Sequence, residues 1–250
     1  MTVPEENWVV EWTYSPADYF EEPMEISNED YNLIIKDGKV EARTSCDQRP
    51  QLCDQLSMEL EFRFQGIQLV SNKPYELSKP SITCPHHHSG MRIISVSETA
   101  TISTEVDLTI TDKNGNVVAD TRKERIERKQ FLGDLAVKYG SIDPLAGELL
   151  LHYTKAINDR DHFLVHLYDI IEALKRQFGK EARNTLQITK TQWNGLKTLA
   201  NVTPLKEGRH RARAKPSELR DATKAEWNTA MKIAAEIVEK YLTYLDEQRT

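Results

Sequence analysis

Cysteine is scarce in this 250-residue chain. Cys46, Cys53 and Cys84 are odd in number and confined to the first third, which excludes the disulfide framework of a small secreted protein. No apolar run approaches the roughly 20 residues that cross a bilayer. The opening Met-Thr-Val-Pro-Glu-Glu-Asn-Trp has neither the basic nor the apolar stretch of a secretory leader. These absences predict a cytoplasmic protein without membrane attachment. Also missing are a Gly-rich phosphate loop, a Gly-x-Ser-x-Gly elbow and a catalytic Cys–His signature. Internal repeats and low-complexity segments are absent too. With 39% hydrophobic residues the chain has enough apolar material to bury a core.

What is present divides the chain by period. In the first half apolar residues alternate, as on a half-buried strand. Trp8, Val10, Trp12 and Tyr14 form one such run, and Tyr31, Leu33 and Ile35 another. Asp37-Gly38 then separates the latter from Val40 and Ala42, the pattern of a hairpin turn. Met58, Leu60, Phe62 and Phe64 alternate again, with Gly66 as a bulge; further strands are expected over Met91–Val96 and Ile102–Ile110. Asp112 to Asn116 reads as a second hairpin turn, with a return strand from Val117; either that strand continues to Ile126, the preferred reading, or Thr121 and Glu124 cap a helix first. Residues 1–126 therefore predict an antiparallel β-sandwich or open barrel.

From residue 127 the period becomes helical. Asp143-Pro144 is a helix start, with Asp as cap and Pro at the first position. Phe163, Leu164, Leu167, Ile170, Ile171, Leu174 and Phe178 share one face of a helix that Gly179 ends. Thr189 with Gln192, and Thr223 with Glu226, are capping boxes. The last of these opens a long closing helix over about 224–246. Residues 127–250 thus predict a bundle of four or five helices, and the fold class α+β.

Net charge is −6, yet one segment reverses the sign. Between Thr203 and Asp221 stand Lys206, Arg209, Arg211, Arg213, Lys215 and Arg220 against Glu207, Glu218 and Asp221, six minus three or +3. A cationic loop on an acidic protein attracts phosphates, nucleic-acid backbone or an acidic partner. Lys206, Arg209, Arg211, Arg213 and Lys215 are the expected binding residues.

Two clusters invite a metal reading. Cys84-Pro85-His86-His87-His88 has ligand-type residues, but adjacent side chains on an extended backbone point to opposite sides. His162 and His166 lie four apart with Asp169 one turn on, a spacing that holds metals, but Phe163 stands where a zincin has Glu. The expectation is a protein without metal or other cofactor, with His162, His166 and Asp169 as the alternative ligand set.

The run Asp161-His162-Phe163-Leu164-Val165-His166-Leu167-Tyr168-Asp169-Ile170-Ile171-Glu172, then Leu199-Ala200-Asn201, Gly208-Arg209-His210 and the final long helix resemble the HEPN-like helical domains of bacterial defence and toxin-associated proteins. A β-rich domain ahead of such a bundle resembles the layout of ApeA-type proteins. The resemblance spans roughly residues 130–245. It implies a homodimer. In members that cleave RNA it implies an Arg, a polar residue after it, and a His four to six residues on, acting together on the 2′-hydroxyl and the leaving phosphate across a dimer seam. Here Arg209 and His210 are adjacent, and Arg183-Asn184 is followed by no His through Lys190. The resemblance then implies a composite catalytic site of Arg209, His210 and Arg213 completed by a second subunit. The leading expectation is a two-domain binding protein that takes RNA, another anionic ligand or a protein partner at its basic loop. The alternative is a metal-independent ribonuclease.

Overall fold

The computed structural model describes residues 8–44, 49–83, 107–113, 117–209 and 218–249. The fold is α+β, an N-terminal antiparallel sheet followed by a C-terminal helical region. It divides into two units: residues 1–61 with 75–126, and residues 62–74 with 127–250. The first division falls inside helix α1 (Arg49–Ser71).

In the first unit, strands β1 (Trp8–Ser15), β2 (Met24–Ser27), β3 (Tyr31–Lys36), β4 (Lys39–Thr44) and β5 (Glu76–Leu77) are ordered β2-β3-β4-β1-β5, and β6 (Ser81–Thr83) also pairs with β1. Asp37 and Gly38 turn the β3–β4 hairpin with positive φ at both, 49° and 77°, which is why glycine serves there. Register places Trp12 opposite Val40 and Val40 opposite Ile35, so the alternating residues of three strands share one buried face. That face is covered by a helix rather than by a second sheet. Trp12 Nε1 donates to Ser57 Oγ at 3.2 Å, and Tyr31 Oη donates to Glu59 at 2.8 Å, both on α1. Among the described residues the sheet closes into no barrel.

Residues 58–64, expected as a strand, are helical because the same segment also carries a helical stripe. Cys53, Leu56, Leu60, Phe64 and Ile67, spaced by three and four, are all buried, whereas Met58 of the alternating set is exposed. A second departure is β8 (Val117–Asp120), which pairs with β7 (Thr109–Thr111) but stops at Asp120. Asp120 accepts the backbone N–H groups of Arg122 and Lys123 at 3.1 and 3.0 Å, an N-cap that starts α2 (Thr121–Gly140) six residues earlier than the expected start at 127. The expected strand Met91–Val96 and the first part of Ile102–Ile110 lie outside the described residues.

The second unit holds the end of α1, most of α2, then α3 (Pro144–Asn158), a 3-10 turn (Arg160–His162), α4 (Phe163–Phe178), the short α5 (Ala182–Thr185), α6 (Lys190–Asn201) and α7 (Lys224–Arg249). The expected caps are in place: Asp143 accepts from Ala146 N at 2.8 Å, and both Thr189–Gln192 and Thr223–Glu226 close reciprocal boxes. The apolar face of α4 is fully buried from Phe163 to Leu174, against Leu149 and Tyr153 of α3, Leu196 of α6 and Ala234, Ile237 and Val238 of α7. Burying such side chains contributes roughly 1.5–3 kcal/mol each. No helix of the described residues is long and apolar enough to cross a membrane.

Gly66, placed as a bulge by the strand reading, is where α1 comes up against the backbone of α2. A Cβ there would collide with the Leu132 carbonyl and stand 2.8 Å from Ala136 Cβ. Arg63, one turn earlier, pairs with Asp134 at 2.6 Å. Gly66→Ala is therefore expected to cost about 1–3 kcal/mol through forced separation of the helices. Gly195→Ala in α6, which meets only the mobile end of Ile233 at 3.3 Å, is expected to be neutral or to stabilise by up to about 1 kcal/mol. Urea unfolding of the two variants measures the contrast.

Candidate functional site

The stem of the basic loop is fixed by its own backbone. Leu205 and Arg220 form a parallel bridge: Lys206 N donates to Arg220 O at 3.0 Å, and Arg220 N to Pro204 O at 3.1 Å. Leu205 is buried beneath it. Arg209 N reaches back to Ala200 O of α6 at 2.8 Å, and the Glu207 carboxylate accepts the N–H of Ala222 at 3.1 Å. A flexible tether would make none of these bonds.

The loop's described cations differ in their engagement. Lys206 pairs with Asp221 at 2.8 Å. Arg220 makes a forked pair with Glu226, 2.6 and 2.8 Å, where Glu226 already closes the cap of α7. Arg209 is different: its guanidinium lies over the ring of Tyr168 in α4, 4.6 Å from the centroid, and it helps lower the Glu172 carboxyl, whose main partner is Lys175. A guanidinium stacked on an aromatic face keeps its N–H edge available for phosphate. His210, Arg211, Arg213 and Lys215 lie outside the described residues, as does the run Cys84–His88.

Next to this stem is the turn between α3 and α4. The guanidinium of Arg160 caps the Trp227 ring of α7 at 3.9 Å. Together with Phe163, Glu207, Thr223, Lys224 and Trp227 it lines a pocket of about 390 Å³, so the loop stem and the α3–α4 turn meet at one depression. Trp227 Nε1 is buried without a hydrogen-bond partner among the described residues. One residue before Arg160, the Asp159 carboxylate holds two imidazoles, His162 Nδ1 and His166 Nε2, each at 3.1 Å. Those contacts, His162 first, keep Asp159 ionised below the usual carboxylate range.

The trio His162, His166 and Asp169 is not brought together. His162 turns to Asp159, and the third partner of His166 and Asp169 is His152 from α3. Ligand atoms of His152, His166 and Asp169 lie within 4.8 Å of one another. Nothing in the sequence pairs His152 with α4, because the contact is between facing helices. Burial lowers the His152 imidazole from its ordinary value, against the opposing pull of Asp169 and Glu148.

Arg160 was legible and is not among the expected residues. Arg160-Asp161 with His166 six positions on has the Arg–polar–His spacing that the resemblance requires. Here that spacing runs from the 3-10 turn into the first helical turns of α4, which puts the imidazole against Asp159. A carboxylate-held imidazole is a proton-transfer group, and a guanidinium is an anion-stabilising one; the Arg160 guanidinium itself lies over Trp227.

No family model, no curated protein and no solved structure matches this chain.

The cap of α7 has a pH signature. The Arg220 guanidinium first, then the Thr223 backbone N–H, hold the Glu226 carboxyl down from 4.5 to about 2. A carboxyl depressed by folding stabilises fully above its unfolded value, and that contribution is lost as pH falls from 4.5 towards about 2. Glu226→Gln is expected to flatten the fall in melting temperature across that window, read by thermal melts at stepped pH.

Proposed function

We propose that the helical unit binds RNA at its basic loop and cleaves it without a metal ion, with Arg160 and His166 carrying the chemistry. The observation that supports this most directly is His166, oriented by Asp159 six residues after an Arg that lines the pocket beside the loop. In the proposed reaction His166 takes the proton of a ribose 2′-hydroxyl. The freed oxygen attacks the adjacent phosphorus as the P–O5′ bond breaks, the 5′-oxygen takes a proton from solvent water, and His166 afterwards returns its own to solvent. A 2′,3′-cyclic phosphate and a 5′-hydroxyl end result. Arg160 offsets the charge that gathers on the phosphoryl oxygens. Asp159 fixes the imidazole's tautomer and stabilises its protonated form. DNA, lacking the 2′-hydroxyl, is not a substrate.

Arg209 on Tyr168 and the other loop cations hold the phosphate backbone. Arg160 is exposed and Asp159 half exposed, an open arrangement suited to completion by a second copy of the chain, in keeping with the homodimer that the HEPN-like resemblance implies. The same resemblance places such an activity in bacterial defence. Binding without cleavage is the second reading. It is favoured by the exposed Arg209 stacked on Tyr168 and needs no chemistry at Arg160.

Labelled RNA incubated with the full chain in chelator separates the two. Cleavage is expected, and His166→Ala and Arg160→Ala are expected to reduce it by about 10²–10⁴-fold while leaving RNA binding. Bound but intact RNA with the parent chain defeats the cleavage reading and leaves the binding one. Arg209→Ala is expected to weaken binding and to flatten its salt slope by about one unit. An unchanged slope removes the loop stem from the interface.

A further inference from the structure

We infer that His152, His166 and Asp169 form a binding site for a divalent ion of the zinc class, formed where α3 faces α4. Three observations carry it. The ligand atoms of the three side chains lie within 4.8 Å of one another. Metal–ligand lengths of about 2.0–2.2 Å put ligands of one ion roughly 3.4 Å apart, so binding draws the three side chains somewhat closer than they stand here. The second observation is His152 Nδ1, which is buried and has no hydrogen-bond partner among the described residues. It stands 3.9 Å from Asp169 Oδ2, a nitrogen facing a carboxylate across a gap that an ion fills.

Third, each imidazole has a carboxylate at its Nε2. Glu148 stands 3.7 Å from His152 Nε2, itself held by Arg176, and Asp159 stands 3.1 Å from His166 Nε2. A carboxylate hydrogen-bonded as Asp159 is to His166 orients a ligating histidine and raises its basicity, and Glu148 stands near enough to His152 to do so on a small shift. Two imidazoles and one carboxylate select zinc, cobalt or nickel over magnesium and calcium, which take oxygen ligands. Three protein ligands leave a fourth position open.

The site shares His166 with the proposed cleavage centre, and its consequence for activity rests on that reading. An imidazole drawn into coordination gives up part of its freedom to move a proton. The ion therefore inhibits RNA cleavage, and removal of the ion releases it.

Ion binding is measured without reference to RNA. The full chain is stripped with chelator, desalted and titrated with Zn²⁺ by calorimetry and with Co²⁺ by visible absorption. A second form with His86, His87 and His88 replaced by Ala removes that run as a competing site. Both forms are expected to take one ion at this site, with the intense visible bands of a low-symmetry four-coordinate Co²⁺. His152→Gln and Asp169→Asn, checked for folding by circular dichroism, are expected to weaken it by about 10–100-fold or more. No stoichiometric binding, binding that vanishes with the His86–His88 replacement, or unchanged affinity in both variants overturns the site. In the cleavage assay, zinc is expected to slow the parent chain, with the half-inhibiting concentration rising in His152→Gln by the factor seen in affinity. Cleavage indifferent to zinc at saturation overturns the inhibitory role. A metal-free chain that binds zinc but never cuts RNA overturns the cleavage reading alone.

Discussion

Helix α4 is the constraint from which the second unit follows. Its apolar face from Phe163 to Leu174 is buried against α3, α6 and α7. Helical geometry then fixes what the remaining faces present. Tyr168 comes under Arg209, and His166 and Asp169 come up against α3. The helix cannot rotate to release these groups without exposing its apolar stripe. Several nonpolar side chains, each contributing a kcal/mol or more, oppose that rotation. The site's geometry is thus set by apolar packing on the other side of the same helix.

Around α4 the polar contacts sort by what they hold. Asp143 caps α3 and also accepts the Tyr241 hydroxyl at 3.0 Å, joining the start of α3 to α7. Lys138 and Tyr139 of α2 share Asp246 of α7, and Arg128 pairs with Glu239. These contacts tie helices to one another. Those at the α3–α4 turn are of another kind. Asp159, Arg160, His162 and His166 fall within eight residues, at a surface turn where the chain reverses. Charged and titratable groups concentrated at such a turn, on a rigid scaffold, are the ordinary setting of a reactive centre. In the loop stem, Lys206 and Arg220 are neutralised by Asp221 and Glu226. Their charge serves the loop's shape first, whereas Arg209, also among the described residues, is exposed and stacks on Tyr168.

The β half shows how a pattern can carry two periods. Leu60 and Phe64 belong both to an alternating run and to a helical stripe. Alternation over four positions is short, and the helical reading extends over Cys53, Leu56, Leu60, Phe64 and Ile67. The longer pattern prevails because a helix from Arg49 to Ser71 buries its stripe against the inward residues of β1, β3 and β4 in its first half. Asp120 gives a similar lesson on a smaller scale. A side chain that can cap the next helix ends the strand it sits on, and the strand propensity of Val117 and Val118 is not enough to carry it further.

The sequence by itself determined what depends on near neighbours along the chain. It fixed the caps at Asp143, Thr189 and Thr223, the hairpin at Asp37-Gly38, the apolar face of α4, the α+β order and the sign reversal in the loop. Each of these is a relation between residues a few positions apart, where backbone geometry alone dictates who meets whom. The Arg160–His166 spacing is of the same kind. Only the tertiary structure decided that His152 and not His162 joins His166 and Asp169, that Arg209 comes to rest on Tyr168, and that Arg160 caps Trp227. Those partners come from different helices or from a loop and a helix. Their meeting depends on how the buried faces pack, which the order of residues in any one element does not specify.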